Sequence, residues 1–329
     1  MTPKDPARRD IGPSERVLAT NRAFTQAVQT GALELPLPGQ GRTRARWSAL
    51  ANLAERDLCI ARLAEAHVDA LSILSELNGP APARGSRWGV WASHPPNPAL
   101  TARQHGDAWL LSGTKPWCSG ARVCTHALVT ADAPDGYRLF AVELGTEARP
   151  RPGTFTAVGM AGTDSIAVEF ADSPAVGVGD TGGYLDRPGF WHGAISVAAC
   201  WYGGAVGLAR TLVARRAKLG PHALAHLGAI DASLSGLSSG FDVAAEQVDA
   251  DPLDHERCGE LRAARLRATT ERVAADVLDR VGRALGAGPF GSDPRFAALA
   301  ADLPVYLRQS HGEADLERLG SLVMERGES

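Results

Sequence analysis

Lysine is almost missing from this chain of 329 residues. Lys4, Lys115 and Lys218 are its only lysines, and the other 31 basic residues are arginines. With alanine so abundant, this reads as genomic composition bias and not as a binding surface. The net charge is −3, which leaves no basic footprint for a nucleic acid. Cysteine is sparse too. Cys59, Cys118, Cys124, Cys200 and Cys258 form no CxxC pair, and their number is odd. That argues against a disulfide framework and predicts reduced, mostly buried thiols in a cytoplasmic protein. No apolar run is expected to span a bilayer. The start, MTPKDPARRDIGPSE, lacks a hydrophobic signal region and reads as a disordered tail.

What is present divides into three stretches. Ser14 is placed to cap a helix through Thr30, stopped by Gly31. Leu50, Leu53, Ile60, Leu63, Leu71 and Leu74 form one stripe at helical spacing, continued by His67 and ended at Asn78-Gly79-Pro80. From Trp88 the pattern turns to short β-type runs: 88–93, 108–111, 126–131, 137–144 and 165–170. Ser112-Gly113 is read as a turn and Asp135-Gly136 as a hairpin signal. After Gly182 helical periodicity returns. Phe190–Leu219 is rich in Gly and Ala. A second helix over His222–Leu237 is expected to break at Ser238–Gly240. A third is expected to start at Asp251-Pro252, and Pro304 to kink or divide the segment 296–309. Periodicity therefore predicts an α+β chain: an N-terminal helical domain (1–86), a small antiparallel β-barrel (87–180) and a C-terminal helical bundle (181–329).

The stretch LSGTKPWCSGA (111–121) sets an aromatic among Pro, Ser and Gly; the residues alone favour an ordinary hairpin carrying a buried Trp over a stacking platform for a flat ring. It resembles the middle-domain motif of the acyl-CoA dehydrogenase superfamily. Further resemblances follow in family order: LAERDLCIARLAEAHVDAL (53–71), RWGVWASHP (87–95), VGMAGTDSIAVEF (158–170), RRAKLGPHALAHLG (215–228) and ALGAGPFGSDPRFAALAADLPVYLRQ (284–309). The chain looks like a short, divergent member with a trimmed N-terminal domain.

The resemblance implies FAD as cofactor. Trp117 and Ser119 match the positions beside the flavin. Ala92 and Ser93 would offer backbone N–H groups to the ring's pyrimidine edge, and His94 stands where the family often carries Glu. Thr163–Ser165 fall in a loop bordering cofactor or substrate. Gly286-Ala287-Gly288 would meet the dinucleotide's adenosine and pyrophosphate across a dimer interface, with Arg216 pairing to phosphate. Here Leu219 replaces a family Phe, and Leu227 a family Gln. The same Gly run matches GxGxxG, but it follows a helix and contains Pro289, so a Rossmann site is rejected. His222 and His226 share a helical face without the Glu of a zinc-binding HExxH. His192 is expected to face the cofactor or cap a helix.

Dehydrogenation of an acyl thioester needs a carboxylate base. Neither family position for it holds one in register: the terminal one falls at Ser310–His311, and none lies near Val197. Glu313 is the nearest candidate, and His311 fits flavin monooxygenases of the same fold. The leading expectation is an FAD-dependent homodimer or homotetramer in lipid metabolism. It would oxidise a CH–CH bond of an acyl-CoA-like thioester and pass electrons to an electron-transfer flavoprotein. The alternatives are a monooxygenase fed by a flavin reductase and a catalytically degenerate binding homologue.

Overall fold

A computed structural model describes residues 14–93, 100–106 and 108–327. Three helices come first: α1 (Glu15–Gln29), α2 (Thr43–Ala54) and α3 (Leu58–Glu76). Seven strands follow: β1 (Trp88–Trp91), β2 (Thr101–His105), β3 (Ala108–Cys118), β4 (His126–Ala133), β5 (Gly136–Glu143), β6 (Ala148–Arg151) and β7 (Ile166–Val178). Then come α4 (Gly183–Asp186), α5 (Pro188–Ala214), α6 (Pro221–Ala250), α7 (Gly259–Leu285), α8 (Gly288–Ser292), α9 (Pro294–Leu307) and α10 (Glu313–Arg326). By compactness the chain forms two units. One comprises residues up to Leu33, 66–157 and 161–186; the other comprises 34–65, 158–160 and 187 onward. The expected disordered tail and His94 lie outside the described residues.

The first unit is built on the barrel. β2, β3, β7, β5 and β4 pair in that order, and β4 closes onto both β5 and β2. β1 joins β4, and β6 joins β7. Most pairings are antiparallel, but β1–β4 and the single β2–β4 bridge are parallel, a departure from the all-antiparallel expectation. Inward-facing Trp91, Leu111, Val129, Phe140, Val168 and Phe170 fill the core. β4 and β5 form the expected hairpin, but its turn residues are Pro134 and Asp135, one place before the Asp135-Gly136 signal, with Ala133 opposite Gly136. Ser112-Gly113 does not turn the chain. β3 runs on to Cys118 because β7 supplies partners along its length, and only a register shift marks Leu111–Ser112. β2 and β6 were not anticipated. Both carry polar side chains, since one face of each meets solvent.

In this unit α1 is capped by Ser14, whose Oγ accepts the Val17 N–H at 3.3 Å. Its buried face is Val17, Thr20 and Phe24. His67 on α3 meets Phe24 edge-on, and its Nδ1 accepts the Trp88 N–H at 3.3 Å.

The second unit is helical. The long apolar stripe that begins in this unit at Leu50 is two helices and not one: Asp57 Oδ1 accepts the Ile60 N–H and starts α3 afresh. α6 runs unbroken through Ser238–Gly240 because Leu237 and Phe241 on either side are buried. α7 starts at Gly259, later than expected. Asp251 instead accepts the N–H groups of His255 and Glu256, and Asp254 those of Cys258 and Gly259. Pro304 lies inside α9, which continues to Leu307.

By length and composition α5 could cross a membrane, contrary to expectation, but most of that apolar stretch is buried inside the structure. Its small residues serve close helix contact. A Cβ on Gly203 would sit 2.1 Å from the Ala51 carbonyl oxygen, and one on Gly207 2.5 Å from that of Glu55.

Candidate functional site

Three segments of the barrel unit meet around Trp117. The first is the end of β3. Its register shifts a second time between Lys115 and Cys118, so Pro116 and Trp117 form a bulge. Pro fits there because a bulge residue needs no ladder donor. Trp117 takes φ +56°, a backbone conformation that bulky residues avoid, and the residue is 62% exposed. A core role would have buried that ring. The fold instead spends strain to hold a large aromatic face in the open.

The second segment follows β1. Ser93 Oγ donates to the Pro116 carbonyl at 3.0 Å, tying 92–93 to the bulge. The buried Trp91 Nε1 donates to the Ser119 carbonyl at 3.0 Å. The third segment is the turn Ala161–Thr163 with Asp164 and Ser165. The Gly120 N–H donates to the Thr163 carbonyl at 2.7 Å. Ser119 Oγ lies 2.9 Å from Ser165 Oγ, which lies 2.7 Å from Thr163 Oγ1. These three buried hydroxyls form one chain. Beside it Arg122 donates to the buried Asp164 at 3.1 Å. Burial raises the Asp164 carboxyl, and Arg122 opposes that rise.

Behind the site, the barrel holds one lysine. Lys115 is buried, and its Nζ donates to the Thr130 carbonyl at 2.5 Å and to Thr130 Oγ1 at 2.9 Å. Burial pushes its ammonium down to about 8, against the opposing pull of Cys118 and Asp132. Burial also pushes the Cys118 thiol up.

The structure thus gathers Ala92, Ser93, Trp117 and Ser119, with Thr163 and Ser165, in one place. Their aromatic face and hydroxyls fit a flat, hydrogen-bonding ring such as a flavin. Lys115, Thr130 and Tyr137 were missed as a group. Lys115 stands inside the 111–121 motif and is one of three lysines in the chain, whereas no motif contains Thr130 or Tyr137.

The remaining expected residues belong to the helical unit. Gly286 ends α7 at φ +66°, and Ala287 and Gly288 lead into α8. Arg216 is exposed in the turn after α5. Its neighbour Arg215 is the residue that reaches this region, 3.8 Å from the Asp293 that caps α9. Glu313 is exposed in the first turn of α10, where an acid favours the helix dipole. His311 is exposed, with Nδ1 3.3 Å from Asp315 Oδ1. His192 is buried within α5 and does not cap it. Among the described residues, no group of three or more His, Cys, Asp or Glu is placed to hold a metal ion.

No protein-family profile matches the chain, and no curated protein matches it. Solved structures do. The complex of TdsC from Paenibacillus sp. A11-2 with FMN and indole superposes with a TM-score of 0.76 at 16% identity, covering 95% of this chain and 96% of that one. The nitrososynthase from Micromonospora carbonacea var. africana gives 0.75 at 19%, covering 92% and 88%. The methanesulfinate monooxygenase MsuC from Pseudomonas fluorescens gives 0.72 at 16%, covering 96% and 97%. The chain has the acyl-CoA dehydrogenase-like fold: N-terminal helices, a small central β-barrel and C-terminal helices.

Proposed function

We propose that this chain is a flavin-dependent monooxygenase of the acyl-CoA dehydrogenase fold, using reduced FMN supplied by a separate flavin reductase. The observation that carries the flavin is Trp117, an exposed indole held at a strained backbone angle beside buried hydroxyls. In this reading the indole stacks on the ring, and Ser93 N–H and the Ser119 hydroxyl bond its edge. Bound flavin would supply the activation of oxygen. The protein's task is to orient the ring and hold water away from it.

Two features favour oxygenation over dehydrogenation. No carboxylate stands at either expected base position, and Glu313 sits where a helix-start acid is satisfied by the dipole. TdsC was solved with FMN and MsuC is a monooxygenase, so this fold hosts that chemistry. FMN is favoured over FAD because the segment suited to the adenosine half is altered at Leu219 and Leu227. Among the neighbours, KijD3 was also solved with FMN. The order of motifs still supports a second reading, an FAD-dependent acyl-CoA dehydrogenase acting as a homo-oligomer.

Anaerobic titration separates the two. Purified protein reconstituted with FMN or FAD is mixed with a panel of acyl-CoAs. Bleaching by an acyl-CoA establishes the dehydrogenase and defeats the proposal. Absence of bleaching, together with reductase-dependent oxygen incorporation into a substrate, supports it. Absence of any flavin binding defeats both and leaves a non-catalytic homologue.

A further inference from the structure

Lys115 does not touch the candidate ring site, yet hydrogen bonds connect it to the backbone there. Nζ is 2.9 Å from Thr130 Oγ1. That oxygen is 2.6 Å from the Tyr137 hydroxyl, which is 3.3 Å from the Ala92 carbonyl oxygen. The proton inventory orders the chain. An ammonium only donates, so Thr130 Oγ1 accepts from Lys115. One phenolic proton cannot serve both Thr130 and Ala92. With Thr130 Oγ1 donating its own hydrogen bond to the Tyr137 oxygen, Tyr137 is left to donate to the Ala92 carbonyl and every contact in the line is a hydrogen bond. The positive charge at one end polarises each bond in the same sense.

The last acceptor matters because the Ala92 carbonyl and the Ser93 N–H belong to one peptide unit. Drawing electron density toward that oxygen makes the Ser93 N–H a stronger donor. Resting on the flavin reading above, we propose that Lys115, acting through Thr130 and Tyr137, is a positioning residue. It polarises the Ala92–Ser93 peptide so that Ser93 N–H binds a reduced flavin's electron-rich edge more tightly than an oxidised one. Ser93 is held for this by its own hydroxyl bond to the Pro116 carbonyl.

Lys115 and Thr130 are buried, while Tyr137 and Ala92 are half-buried. Lys115 and Cys118 lie on β3, Thr130 and Asp132 on β4, and Tyr137 on β5, while β7 offers Val168 opposite Lys115. Burial lowers Lys115 to about 8 and raises both the Cys118 thiol and the Tyr137 phenol, so a titration of this line near pH 8 is expected from Lys115.

The test uses the full chain with Thr130→Val, Thr130→Ser, Tyr137→Phe and Lys115→Met. Affinities for oxidised and reduced FMN are measured in each, and the Ser93 amide is followed by NMR without flavin. Thr130→Val and Tyr137→Phe should weaken reduced FMN about twofold more than oxidised FMN, because the Ser93 N–H remains and loses only its polarisation, about 10–30% of a bond's strength per link. A twofold preference lost lowers the two-electron potential by about 9 mV. Thr130→Ser keeps the hydroxyl and should retain the wild-type ratio. In flavin-free wild type, the Ser93 amide shift should titrate near pH 8, and that titration should vanish in Thr130→Val. If folded Thr130→Val and Tyr137→Phe keep the wild-type ratio, or the Ser93 amide ignores that titration, the relay is wrong. Wild type that binds neither FMN nor FAD overturns the flavin reading, while the amide titration still judges the relay.

Discussion

Acid should destabilise this protein through one histidine. His67 is buried on α3, and its Nδ1 accepts the Trp88 N–H at 3.3 Å. An accepting nitrogen carries no proton, and burial pushes the imidazole down to about 4 from 6.5. The unfolded chain therefore takes up a proton before the folded one does. His67's contribution is complete above pH 6.5 and falls away as pH drops toward 4. With those two values the loss is about 2 kcal/mol at pH 5 and about 3 kcal/mol at pH 4. His67→Asn keeps an acceptor near the Nδ1 position and cannot titrate. Urea unfolding of both proteins at pH 7.5 and pH 5, followed by tryptophan fluorescence, isolates the effect. Carboxylates and other histidines contribute equally to both proteins. The variant starts lower at pH 7.5 because it packs less well on Phe24. Wild type should lose about 2 kcal/mol more than the variant between the two pH values. Equal losses would show that His67 is protonated in the folded state and that the Trp88 bond is misassigned.

Further outcomes follow from single contacts. Gly203→Ala should cost about 2–3 kcal/mol by thermal unfolding, because the new methyl meets the Ala51 carbonyl oxygen at 2.1 Å. Gly236→Ala, in the exposed middle of α6 with open space around it, should gain up to about 1 kcal/mol. Trp117→Gly should relieve about 1 kcal/mol or more of backbone strain while weakening FMN binding by at least about tenfold, read by a raised melting temperature and a fluorescence titration. Burial holds Lys115 at about 8, below its unfolded 10.5. Wild-type stability should therefore gain a contribution as pH rises from about 8 to about 10.5, and Lys115→Met should lack it in parallel urea titrations.

Local chemistry made the outline legible from sequence. Ser14 caps α1 wherever that helix lies, and the stretch from Pro134 to Gly136 marks the β4–β5 hairpin to within one residue. The switch from helical to alternating periodicity at Trp88, and back after Gly182, placed the barrel between helices. The two segments LSGTKPWCSGA and RWGVWASHP single out Trp117 and Ser119 and, separately, Ala92 and Ser93, which the barrel unit brings together. Periodicity could not reveal that Leu50–Leu74 is two helices, because a break that preserves the buried stripe leaves no trace in it. Nor could it show that α6 passes through Ser238–Gly240, where the burial of Leu237 and Phe241 outweighs local helix propensity. The bulge that exposes Trp117 arises from the pairing of β3 with β7, two strands distant in sequence. The line from Lys115 to Ala92 likewise joins β3, β4, β5 and the end of β1. Such contacts depend on register and closure of the sheet, which only the folded barrel sets.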